Sequence, residues 1–84
     1  MQEGDNIELS RHVWDKLNDP TSKKLGITRE RLDAVLRQPE CIDTSDFPVL
    51  MAVGELSKTL SLCVIYKLVE ERVRVITFFP AERG

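Results

Sequence analysis

Apolar residues recur at helical spacing through the first forty or so positions and at strand spacing afterwards, so the pattern changes period once, near Pro39. Ser10 is a good N-cap after the short extended stretch Ile7-Glu8-Leu9, and Val13, Trp14 and Leu17 behind it form one apolar stripe. This spacing predicts a short helix from Arg11 that ends at Asn18-Asp19-Pro20, because proline cannot continue the hydrogen-bond ladder. Thr21 to Gly26, polar and rich in Ser and Lys, reads as a loop. A second helix is better signalled. Thr28 caps it, Ile27 can staple onto Leu32, Glu30 suits the helix dipole, and Leu32, Val35 and Leu36 form its buried stripe. Pro39 stops it near Gln38.

Beyond Pro39, Cys41-Ile42-Asp43 and Phe47 to Leu56 read as extended, Thr59 to Val69 is rich in Leu, Val, Ile and Tyr, and Val73 to Phe79 is mostly β-branched and aromatic. The connections are too short for a crossover helix, so neighbouring strands should run antiparallel as a meander. Leu62-Cys63-Val64-Ile65 and Val73, Val75 and Ile76 are apolar on both parities, which places those strands centrally with each face at least partly covered. The expected fold is α+β in two layers: two N-terminal helices packed on a three- to four-stranded antiparallel meander sheet.

Eighty-four residues allow one domain, 1–84, with residues 1–6 expected as a disordered tail. With 42% hydrophobic and 31% charged residues the chain should fold rather than stay disordered. Twelve Lys and Arg against fourteen Asp and Glu give a net charge of -2, so any basic site must be local. No leader-like segment or long apolar run is present, which points to a soluble cytoplasmic protein with no membrane association. Cys41 and Cys63 lack C-x-x-C spacing and are expected reduced, as small core hydrophobes.

One histidine and no ligand-spaced pairs argue against a metal site. Four glycines, with no phosphate-binding loop, argue against a nucleotide cofactor, and no other cofactor is expected. A Cys–His nucleophile is discounted because Cys63 falls in an apolar strand. His12 and Lys16 are i and i+4 on the first helix and project from one side. A ribonuclease that uses no metal needs a base for the ribose 2′-hydroxyl, cations for the phosphorane-like charge and an acid for the leaving oxygen. The plainer reading makes His12 a surface or cap residue and Lys16 a solvated charge. Similarly, Thr77 can be a β-branched strand former, Arg83 a solubilising tail residue, and Tyr66, beside Lys67 at a strand end, rim packing. Arg74 and Thr77 differ in parity, so only one of them is expected to face any given cleft.

The stretches Leu9-Ser10-Arg11-His12-Val13, Gly26-Ile27-Thr28-Arg29-Glu30, Val35-Leu36-Arg37-Gln38-Pro39-Glu40 and Val75-Ile76-Thr77-Phe78-Phe79-Pro80 resemble the small bacterial RelE-like toxins, and more broadly the superfamily of barnase, EndoU, colicin nucleases and RelE. The resemblance implies paired N-terminal helices on a twisted antiparallel sheet, metal-independent RNA cleavage, and a small antitoxin that blocks the site. Carried over by position, it makes His12 and Thr77 the catalytic pair and matches Arg83, more loosely, to the basic residue after the last strand. Lys16, from helical spacing, joins Lys67 and Arg83 as the expected RNA-binding residues. RNA or the ribosome would be the substrate partner. Unlike many active relatives the chain is slightly acidic, with no Lys or Arg between Gln38 and Ser57. The competing reading is a non-catalytic protein-interaction module, and a further one is a homodimer paired through the strand near Phe47 to Leu56.

Overall fold

A computed structural model describes residues 6–83; of the tail expected over 1–6, residues 1–5 lie outside the described residues. The element order is β1 (Ile7–Leu9), α1 (Arg11–Leu17), α2 (Pro20–Leu25), α3 (Arg29–Arg37), β2 (Cys41–Asp43), β3 (Leu50–Glu55), β4 (Leu60–Val69) and β5 (Arg72–Glu82). The strands form one sheet in the order β1-β5-β4-β3-β2. From β2 to β5 it is the expected antiparallel meander. β1 adds a strand parallel to β5, with Ile7 opposite Val73 and Leu9 opposite Val75, so the sheet is five-stranded and mixed.

The helical layer also holds one element more than expected. Residues 21–26 are not a loop: Asp19 caps α2 by accepting the Thr21 N–H at 2.9 Å, and Pro20 stands in the first turn, where a missing N–H costs nothing. Gly26 ends α2 in the left-handed region at φ 75°, a conformation cheap only for glycine. Pro20 therefore starts a helix rather than merely stopping one. α1 and α3 have the expected caps, Ser10 Oγ accepting from Val13 N–H and Thr28 Oγ1 from Arg31 N–H, each at 3.2 Å. Each such cap contributes about 1 kcal/mol.

The core lies between this layer and one face of the sheet. Val13, Leu17, Leu32 and Val35 pack onto Ala52, Leu62, Val64, Tyr66, Val75 and Phe78. Gly54 lets α3 approach β3, since a Cβ there would stand 2.9 Å from Val35 Cγ2. Tyr66 is a core residue, 7% exposed, and not rim packing. β3 pairs with β4 along its length and with β2 at Met51–Val53, so that part of the strand expected to form a dimer contact over residues 47–56 is already occupied within the chain.

Candidate functional site

On the side of β5 away from β4, β1 pairs only with Val73–Val75. Past that short strand α1 lies alongside, because Ser10 turns the chain directly from β1 into the helix and Val13 and Leu17 anchor it in the core. The helix therefore presents His12 and Lys16 to the part of β5 that β1 leaves uncovered. Lys16 Nζ donates to Thr77 Oγ1 at 3.1 Å and to the Phe78 carbonyl, and lies 4.6 Å from the centre of the Phe78 ring. His12 is exposed, with Nε2 3.4 Å from the same Thr77 Oγ1. A hydroxyl has one proton and two lone pairs. With Lys16 filling one lone pair, the other accepts from His12 Nε2–H in the tautomer that leaves Nδ1 unprotonated. Imidazole, hydroxyl and ammonium thus meet at a solvent-open edge, with the two ends of the cluster 65 positions apart in the chain.

The other two expected RNA contacts do not join this cluster. Arg83 is not on a loose tail: its main chain continues from β5 with a 2.9 Å N–H bond to the Thr59 carbonyl. Its guanidinium grips Glu40 through both carboxylate oxygens, at 3.2 and 3.1 Å, and donates to Ser61 Oγ at 3.1 Å. The hydrogen bonds to Glu40 push the Arg83 pKa further up. Six residue steps along the extended chain separate it from Thr77, about 20 Å of strand. Lys67, half-buried, stands on the sheet opposite Arg74.

A β-bulge corrects the parity expected for Arg74. The register passes from Ile65–Thr77 to Tyr66–Val75, leaving Ile76 as the extra residue. Arg74 pairs with Lys67 and Thr77 with Ile65, two positions apart on β4, so Arg74, Lys67 and Thr77 share a parity. Sequence reasoning missed Arg74 because strict alternation assumes no bulge, and no residue near Ile76 signals one. Glu8, directly opposite Arg74 on β1, bonds both Arg72 and Arg74. The Arg72 hydrogen bond, followed by its charge and then Arg74, holds the Glu8 carboxyl below its ordinary value despite some opposing desolvation. Tyr66 cannot serve as a phenolic acid, for it is buried and desolvation pushes its pKa up.

The sheet face opposite the helices is open. Cys41, Val53, Cys63 and Phe79 form one cross-strand rung and Asp43, Met51, Ile65 and Thr77 the next. Cys41 is exposed and not the core hydrophobe expected, whereas Cys63 is buried, and burial raises its thiol pKa. Both are free, and with β3 between them their Cα atoms stand about 9.5 Å apart, beyond disulfide reach. Among the described residues no group of three or more His, Cys, Asp or Glu could hold a metal ion, and no helix is long and apolar enough to cross a membrane. No protein-family model, curated protein or solved structure matches the chain.

Proposed function

We propose that the chain is a metal-independent RNA endonuclease of the RelE-like class, acting at the α1–β5 edge. The observation that carries this reading is the convergence of His12 and Lys16 on the Thr77 hydroxyl, at 3.4 and 3.1 Å, at an edge open to solvent. In this mechanism His12, held through Nε2–H on Thr77, takes the ribose 2′-proton on its unprotonated Nδ1, and the 2′-oxygen attacks the adjacent phosphorus. The P–O5′ bond breaks as the P–O2′ bond forms. The products are a 2′,3′-cyclic phosphate and a 5′-hydroxyl that takes its proton from solvent water. Lys16 and Arg74 neutralise the charge that builds on the equatorial oxygens, and Thr77 orients the imidazole. Lys67 extends this cationic track on the sheet, while Arg83, spent on Glu40, holds the end of β5. Cytoplasmic RNA or the ribosome is the substrate partner, and a small antitoxin covering the α1–β5 edge would silence the enzyme.

The test is cleavage of a labelled single-stranded RNA by purified protein in the presence of a chelator. His12→Ala should lower the rate by about 10²–10⁴-fold. A wild-type protein that leaves RNA intact, or cleavage indifferent to His12→Ala, refutes the reading. The alternative, a non-catalytic interaction module, draws on a specific observation of its own: the open sheet face displays Phe79 at 40% exposure beside half-buried Met51, Val53 and Ile65. Stoichiometric capture of a protein partner without RNA cleavage favours that module.

A further inference from the structure

On α1, Trp14 is two residues from His12, roughly 200° around the helix axis, and so opens onto the opposite flank. There it walls a groove of about 380 Å³ between α1, the α2 C-terminus and the start of α3. Leu17 and Ile27 provide apolar lining, while Lys23 and Arg29 stand at its sides. No carboxylate lines it, in a chain whose net charge is -2. Trp14 keeps 44% of its surface exposed, and the Arg29 guanidinium carbon lies 5.6 Å from the centre of its ring. Leaving a large aromatic surface in water serves no packing purpose, and the capping of α3 needs neither Arg29 nor Lys23.

We propose that this groove is a nucleotide subsite for single-stranded RNA, in which a base stacks on Trp14 and the flanking phosphates meet Arg29 and Lys23. The proposal rests on the endonuclease reading for its substrate. Its physical argument is separate: a planar π-face with an apolar floor suits a base, and two unopposed cations suit its phosphates. A purely apolar or a purely anionic ligand fits one half of this lining only. The subsite lies a helix's breadth from His12, so a strand laid across α1 engages both. One nucleotide would be anchored on Trp14 while a phosphodiester several positions along the strand lies at His12 and Thr77. Binding there selects unpaired RNA, since a base held in a duplex cannot reach the indole.

Trp14 is the single tryptophan of the chain, so its own emission reports the contact. Wild-type protein is titrated with a 2′-O-methyl single-stranded oligonucleotide, which cannot be cleaved, while fluorescence of Trp14 and anisotropy of an end label are followed. Saturable quenching is expected. Trp14→Leu should weaken binding by about tenfold or more, read by anisotropy. Arg29→Gln, at an exposed position where folding is not at risk, should flatten the salt dependence by roughly one phosphate contact. Both variants should leave cleavage of a dinucleotide unchanged. If the oligonucleotide binds equally well to all three proteins, or binds none of them, the subsite is refuted. Quenching by polyglutamate but not by the oligonucleotide refutes it too. Failure of the endonuclease reading looks different: wild type does not cut RNA, yet Trp14-dependent binding persists.

Discussion

Lys16 holds the α1–β5 edge together besides facing the substrate, and replacing it by methionine measures the structural part. Methionine keeps the apolar stem that crosses Phe78 and removes only the ammonium. What disappears is the bond to Thr77 Oγ1 at 3.1 Å, the bond to the Phe78 carbonyl, and the charge 4.6 Å from the Phe78 ring. A hydrogen bond from a charged donor stabilises by about 1.5–3 kcal/mol; the bond to the Phe78 carbonyl is counted at the low end because Lys16 is only half-buried, and the Thr77 bond is not counted because water replaces it at the open edge. The ring contact adds about 0.5 kcal/mol. Lys16→Met should therefore cost about 2 kcal/mol, lowering Tm by roughly 8–16 °C in a domain this size. Thermal and urea denaturation followed by circular dichroism measure it. A loss below about 0.5 kcal/mol would refute the pinning role, in which two of the three N–H groups hold Thr77 and Phe78 and the third is left for substrate. Lys16→Arg should recover part of the stability, because its fork can still reach the carbonyl.

Other expectations follow from single features. Glu70 and Glu71 form the two-residue turn between β4 and β5 with φ at 52° and 68°, where Asn-Gly is at ease, so that double replacement should gain about 1 kcal/mol and raise the urea midpoint; an unchanged or lower midpoint rejects it. The Glu8 carboxyl should titrate below 4.5 by carbon NMR, with its stabilising effect complete above that pH and lost as pH falls through the folded value; Arg72→Gln should return it toward 4.5. A thiol reagent should label Cys41 at once and Cys63 only on unfolding, and equal rates would contradict the burial of Cys63.

The meander was legible because its signals are local: short connections force hairpins, and apolar runs on both parities mark β4 and β5 as inner strands. α2 was missed although Asp19, Pro20 and Gly26 are an ordinary cap, start and stop, since a proline after one helix also reads as its end. β1 was legible as a short extended stretch but not as a strand of the sheet, because its pairing partner lies more than sixty positions away and parallel pairing leaves no turn to betray it. At the edge, His12 and Lys16 could be paired from helical spacing, and only the resemblance joined Thr77 to them. Arg74 was lost to the bulge at Ile76, and Arg83 looked like a tail because nothing in sequence links it to Glu40.

The β1–β5 pair joins the most distant segments of any strand pairing in the sheet, so closing it forfeits the most chain entropy for only three residues of ladder. It should zip last during folding and fray first in the native state. α1 follows that pair after Ser10 alone, so when the latch opens the His12 end of the helix loses its tether while Val13 and Leu17 still hold the rest in the core and the four-stranded meander stays intact. The geometry of the cluster is in this way tied at one end to a weak seam, and hydrogen exchange at the amides of β1 times its opening.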